Sequence, residues 1–162
     1  MKSKITPTLW FDGSAEEAAR FYSSLFPDSR IVNVNRSAAD NPSTKAGEVL
    51  TVDFELAGQP FMGLNGGPDF KFNEAISFTI DCQDQAEVDL YWEALVEGGG
   101  EHSVCGWLKD RYGVSWQVIP RVLPELLADP DRNVAERVMK AMLEMTKIDV
   151  AELQAAKEGV PA

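Results

Sequence analysis

Apolar and polar positions along this chain fall into a pattern that runs through twice. Residues 5–12 form a β-rich run that stops at Asp12-Gly13-Ser14. Ser14, with Glu17 three residues on, has the form of a capping box, so a helix begins there. Ala15, Ala18, Ala19, Tyr22, Leu25 and Phe26 share one helical face, and Pro27-Asp28 ends it. Residues 30–36 set Ile31, Val32 and Val34 among polar side chains, and residues 48–56 carry Leu50, Val52, Phe54 and Leu56 on one face of a longer strand. Ala57-Gly58-Gln59 turns the chain into a strand over 60–65, closed by Gly66-Gly67-Pro68. The order is β-α-β-β-β.

It then repeats, and an internal repeat decides the fold class more than any single element does. Residues 75–82 read as a strand. Residues 85–96 read as a helix with Val88, Tyr91, Trp92, Leu95 and Val96 inward, stopped by Gly98-Gly99-Gly100. Residues 103–110 and 114–120 make a hairpin through Arg111-Tyr112-Gly113, with room for a short strand at Glu101 and His102. Beyond Pro120 the composition turns helical. A short helix over 122–129 precedes one over 133–145 with Val134, Val138, Met142 and Met145 on one stripe, and Asp149 with Glu152 caps a third that buries Leu153. The methionine stripe reads as packing surface, set against the sheet or a partner subunit.

Composition narrows the class of protein. At 162 residues the chain can bury roughly 70 % of the surface its unfolded form exposes. Its two cysteines, Cys82 and Cys105, lie in apolar stretches without a secretory signal, which points to reduced thiols in a cytoplasmic protein. The basic opening Met1-Lys2-Ser3-Lys4 leads into an apolar run too short for a signal-peptide core, and no window approaches the roughly twenty apolar residues of a membrane span. A formal charge of -11, with fifteen Lys and Arg dispersed among twenty-six carboxylates, disfavours nucleic acid and anionic lipid as partners.

Two consecutive β-α-β-β(-β) modules, the first with a helix carrying Arg20-Phe21-Tyr22, the second with Gly113-Val114-Ser115-Trp116-Gln117, resemble the glyoxalase/bleomycin-resistance/dioxygenase, or vicinal-oxygen-chelate, superfamily. The run from Cys105 to Gln117, containing Trp107-Leu108-Lys109-Asp110-Arg111-Tyr112-Gly113, looks like its PhnB-like, 3-demethylubiquinone-9 3-methyltransferase-like branch, as does the tail from Lys147 to Leu153. The resemblance implies an α+β fold: two tandem βαβββ-type modules, about 1–68 and 69–121, forming a curved mixed sheet around a cavity. A helical extension, 122–162, would pack on the domain or a partner subunit, and related domains commonly form homodimers.

Alternation chooses which side chains face such a cavity. Leu9 and Phe11 meet the helix and leave Thr6, Thr8 and Trp10 on the other side; Ile76, Phe78 and Ile80 meet the second helix and leave Ala75, Ser77 and Thr79; Ser115 and Gln117 share the cavity face of the last strand. The same alternation, counted back from Trp107, puts Cys105 inward. The expected pocket is thus Thr8, Trp10, Ser77, Thr79, Cys105, Trp107 and Gln117, aromatic walls with one orienting amide.

Metal-using relatives keep His or Glu at one position on each of four strands, which the resemblance aligns with Thr6, Met62, Ala75 and Gln117; none supplies a carboxylate or imidazole, and no metal or other cofactor is expected. His102 stands alone and reads as an exposed loop histidine, and Asp110 and Arg111 read as fixing their turn. Adenosylmethionine would need a glycine-rich loop opening a helix, and Gly63-Leu64-Asn65-Gly66-Gly67-Pro68 leads to another strand instead, so the methyltransferase part of the family name finds no support here. What remains is a small-molecule-binding domain, or alternatively an enzyme, an isomerase, lyase or dioxygenase, using recruited metal or residues such as Cys105.

Overall fold

The computed structural model describes residues 4–160, so the basic opening over Met1 to Ser3 lies outside the described residues. It contains eight strands and five helices among those residues, in two compact units that divide after Phe72. The expected curved sheet is realised as two four-stranded mixed sheets, one per unit and neither closed.

In the first unit β1 (Thr8–Phe11), β2 (Arg30–Arg36), β3 (Val49–Leu56) and β4 (Gln59–Asn65) lie in the order β1-β4-β3-β2, with β1 parallel to β4 and the other pairs antiparallel. Helix α1 (Ala15–Leu25) covers one face, where Leu9, Phe11, Val52, Phe54, Leu56 and Phe61 are buried. The approach is close because both surfaces are small: a Cβ at Gly63 would lie 3.2 Å from that of Ala15, and Ala18 and Ala19 are fully buried beside it. Tyr22 closes the far end over Phe54, their rings 6.4 Å apart.

The expected capping box does not form, since Ser14 makes no side-chain cap bond. Asn65, at the end of β4, takes its place: Oδ1 accepts from Ala15 N–H at 2.9 Å while Nδ2 donates to Val49 O at 2.9 Å. One buried amide thus ties the helix start to two strands, which a local hydroxyl could not do.

The second unit repeats the order. β5 (Phe78–Cys82), β6 (Glu101–His102), β7 (Trp107–Lys109) and β8 (Ser115–Pro120) lie as β5-β8-β7-β6, with α2 (Gln85–Val96) on one face burying Val88, Trp92 and Leu95. Two strands are shorter than the alternation predicts. Asn73 accepts from Ala75 N–H, which makes residues 74–76 a turn and delays β5 to Phe78. Cys105 and Gly106 have left-handed backbone, φ 56° and 79°, so β7 starts only at Trp107 and Cys105 does not belong to its alternation. His102 is in strand β6 and not in a loop, its ring stacked on Trp92 at 4.4 Å with Nε2 3.0 Å from Trp92 O.

Helices α3 (Val122–Leu127), α4 (Arg132–Glu144) and α5 (Val150–Glu158) build a core of their own around Leu123, Leu126, Val138, Met145, Ile148 and Leu153, with Val134 and Met142 packed against it. The link between α4 and α5 docks on the sheet of the second unit. Cys105 and Gly106 N–H donate to Met145 and Thr146 carbonyls at 2.8 Å each, and Gln85 bridges Ile148 O and Val150 N–H. Asp149 caps α5 through Glu152 N–H as expected.

Replacing Asn65 by Ala strands a buried N–H and a part-buried carbonyl, and should cost about 2 kcal/mol. Ser14→Ala, which removes no cap bond, should stay within about 0.5 kcal/mol. Urea denaturation compares the two, and equal midpoints for both variants would refute the assignment of the cap to Asn65.

Candidate functional site

The register of the second sheet sorts its side chains into two sets. Leu108 pairs with Trp116, and Phe78 and Ile80 pair with Trp116 and Val118, all toward α2. Trp107 pairs with Gln117, Lys109 with Ser115, Thr79 with Gln117 and Glu101 with Lys109, all on the face away from α2. On that face a cavity of about 350 Å³ opens within the second unit, its wall including Glu74, Glu101, Cys105, Trp107, Lys109 and Ser115. The size suits a small organic ligand.

Asp110 holds the hairpin that aligns this wall. Only 3 % exposed, it accepts from Tyr112 N–H at 2.9 Å, Val114 N–H at 3.0 Å and the Trp116 indole at 2.8 Å. Arg111 lies over the Tyr112 ring and donates to its hydroxyl, so the charged pair serves the turn. Within the cavity, Lys109 is ion-paired with Glu74, and their hydrogen bond holds the Glu74 carboxyl below its usual range and the Lys109 ammonium above it. Ser115 is 1 % exposed, and its Oγ has no hydrogen-bond partner among the described residues.

Of the seven pocket candidates, Cys105 and Trp107 line this cavity. Gln117 lies on the same face with its Nε2 donating to Ser77 Oγ at 2.9 Å, and Thr79 is exposed opposite it. Thr8 and Trp10 belong to the first unit, on the face of β1 away from α1. There the Trp10 indole donates to Gly67 O at 2.8 Å, its ring meets Phe70 edge-on at 4.9 Å, and a Cβ at Gly66 would fall 2.3 Å from it. Glu74 and Glu101 join the wall without belonging to the pocket that alternation predicts. Register with Lys109 could have flagged Glu101; Glu74 reaches Lys109 across thirty-five positions by a turn that leaves no periodic signal.

The residues aligned with a metal site do not fit one. Thr6 precedes β1 and is exposed, Ala75 is in the turn before β5, Met62 offers a thioether beside Thr8, and the Gln117 amide is engaged with Ser77. Among the described residues no group of three His, Cys, Asp or Glu side chains is arranged to hold a metal ion. The glycine loop after β4 is likewise occupied: Gly66 and Gly67 N–H both point to Phe11 O, at 2.9 and 3.3 Å, and the next regular element is a strand.

Comparison with known proteins bears on these features. The 3-demethylubiquinone-9 3-methyltransferase family matches residues 3–119, leaving the three C-terminal helices beyond the matched stretch. A solved Bacillus cereus protein described as a putative 3-demethylubiquinone-9 3-methyltransferase, PhnB protein, is 37 % identical over 73 % of this chain and 99 % of its own, with a TM-score of 0.66. A Pseudomonas aeruginosa protein (20 % identity, 74 % and 98 % covered, TM-score 0.59) and a fosfomycin resistance protein from Mesorhizobium loti (16 %, 72 % and 89 %, 0.50) share the fold. No curated protein matches the chain.

The two thiols should differ sharply in reactivity. Burial, with the nearby carboxylates of Glu87, Asp81 and Asp84 adding to it, pushes the Cys82 thiol up to about 12, whereas Cys105 is half-buried at the cavity wall. A thiol-specific chromogenic reagent at pH 8 should modify one thiol of the native protein, absent in Cys105→Ser, and both after unfolding. Fast labelling of Cys82 in the native state would contradict this placement.

Proposed function

The chain belongs to the 3-demethylubiquinone-9 3-methyltransferase-like, or PhnB-like, family of the vicinal-oxygen-chelate superfamily, and on that footing we propose that it binds a small, partly apolar molecule in the second-unit cavity without a metal ion or other cofactor. The observation that carries this reading is Ser115: an unpartnered hydroxyl at 1 % exposure costs stability in the free protein, and a ligand in the cavity would supply its missing partner. Trp107 and Cys105 supply apolar contact area beside it. Methyl transfer, which the family name invokes, gains nothing from a glycine loop whose N–H groups are already bonded to Phe11.

A catalytic role as an isomerase, lyase or dioxygenase has one observation in its favour, the Cys105 thiol in the cavity wall. Product formation abolished in Cys105→Ala would turn the reading toward it. We also propose that the protein is cytoplasmic, in keeping with two free cysteines, and that nucleic acid is not a partner, in keeping with its acidity. No helix among the described residues is long and apolar enough to cross a membrane.

Ser115→Ala provides a test with two opposite signs. It should raise the stability of the free protein by about 1 kcal/mol, by removing an unsatisfied buried hydroxyl, and lower the affinity for any ligand found in a thermal-shift screen. Loss of both stability and binding would mean that the hydroxyl is structural, and a broad screen without any stabilising compound would count against the binding role.

We propose in addition that the protein is a homodimer, since Met139 and Leu143 stay exposed on α4 beside the buried Val138 and the partly buried Met142. Sedimentation should give a species near twice the 17.8 kDa chain. A single species at the chain mass throughout the micromolar range would exclude it.

A further inference from the structure

We propose that the second-unit cavity selects a monocation, an ammonium bearing an aromatic or aliphatic group, with Glu101 as its counter-ion and Trp107 as its apolar wall. This rests on the binding reading above and adds the charge of the ligand.

Three charged groups, Glu74, Glu101 and Lys109, stand in the wall. Lys109 is engaged by Glu74, which leaves that pair neutral. Glu101, on the edge strand β6, is the register partner of Lys109 and feels its ammonium through space, yet its carboxylate has no hydrogen bond or ion pair among the described residues. The lining therefore carries one uncompensated negative charge, from Glu74 and Glu101 less Lys109, on a chain whose net charge is itself -11. An anionic ligand would have to separate Lys109 from Glu74 and then lie beside Glu101, against both the local and the long-range field. A cation needs neither step. Trp107 adds a ring surface that attracts cations as well as apolar groups, and Ser115 Oγ, buried and without a partner among the described residues, adds an acceptor for an ammonium N–H in the same wall. Unpaired surface carboxylates alone would be ordinary; the unsatisfied hydroxyl in the same wall is what separates this one from a solvated face.

Three probes that share one phenethyl body measure the charge preference on the full-length protein: phenethylammonium, phenethyl alcohol and phenylpropionate, each titrated by calorimetry and by its protection of Cys105 from a thiol reagent. Phenethylammonium should bind about tenfold more tightly than the alcohol, with the carboxylate weakest, and its affinity should fall as ionic strength rises. Glu101→Gln, at an exposed position on a two-residue strand, should remove most of that preference, the ammonium's affinity falling toward the alcohol's. Tightest binding of the alcohol or the carboxylate, or an ammonium affinity unchanged in Glu101→Gln, would overturn the charge assignment and leave the cavity reading standing. Failure of all three probes both to bind and to protect Cys105 would overturn the two together.

Discussion

The buried carboxylate of Asp110 sets the register on which the candidate site depends. Three donors converge on it, two from the backbone of the turn and one from the Trp116 indole, so the turn and the strand that follows are fixed by one group. Side chains on a strand alternate with period two, and a slip of one residue would exchange the faces. Trp116 and Val118 would then leave the core under α2, and Ser115 and Gln117 would leave the open face. Every candidate contact on β7 and β8 inherits its position from that turn, which is why a charged residue can be worth its burial there: its lone pairs are used rather than desolvated for nothing.

Elsewhere the chain satisfies backbone groups away from a sheet ladder in two further ways. At the start of α1 the cap comes from Asn65, fifty positions away in sequence. At the rim of the cavity, Cys105 and Gly106 donate to carbonyls between α4 and α5, and a Cβ at Gly106 would meet Val118 O at 2.9 Å and Ile148 at 3.0 Å. Glycine is required there both for its positive φ and for the closeness of the tail.

These long-range substitutions mark where the sequence was opaque. Periodicity identified all five helices among the described residues, and it separated the faces correctly in β1 and β8, since burial under a helix imposes a strong local pattern. The motif from Trp107 to Gln117 carried the family. Periodicity failed at Ser14, where a cap of the right form lost to a distant amide; at 75–77, left out of the strand because Asn73 folds residues 74–76 into a turn; and at 103–106, where tail carbonyls competed for the strand's donors. Alternation showed Trp10 facing away from α1, but gave no sign that Gly66, Gly67 and Phe70 would already hold its ring. Glu74, brought to Lys109 by that same unseen turn, escaped notice for a related reason.

The docking of residues 145–148 against the cavity rim also separates two lengths that are easily taken to be one. The stretch shared with the family ends at residue 119, but the stretch that must fold together with the cavity does not. A chain cut at the family boundary would expose two donors at Cys105 and Gly106 and uncover Ile119, which packs against the helical core. The extension is therefore better regarded as part of the site's foundation than as an appendage, and divergence in it can reshape the rim without touching a residue that the family shares.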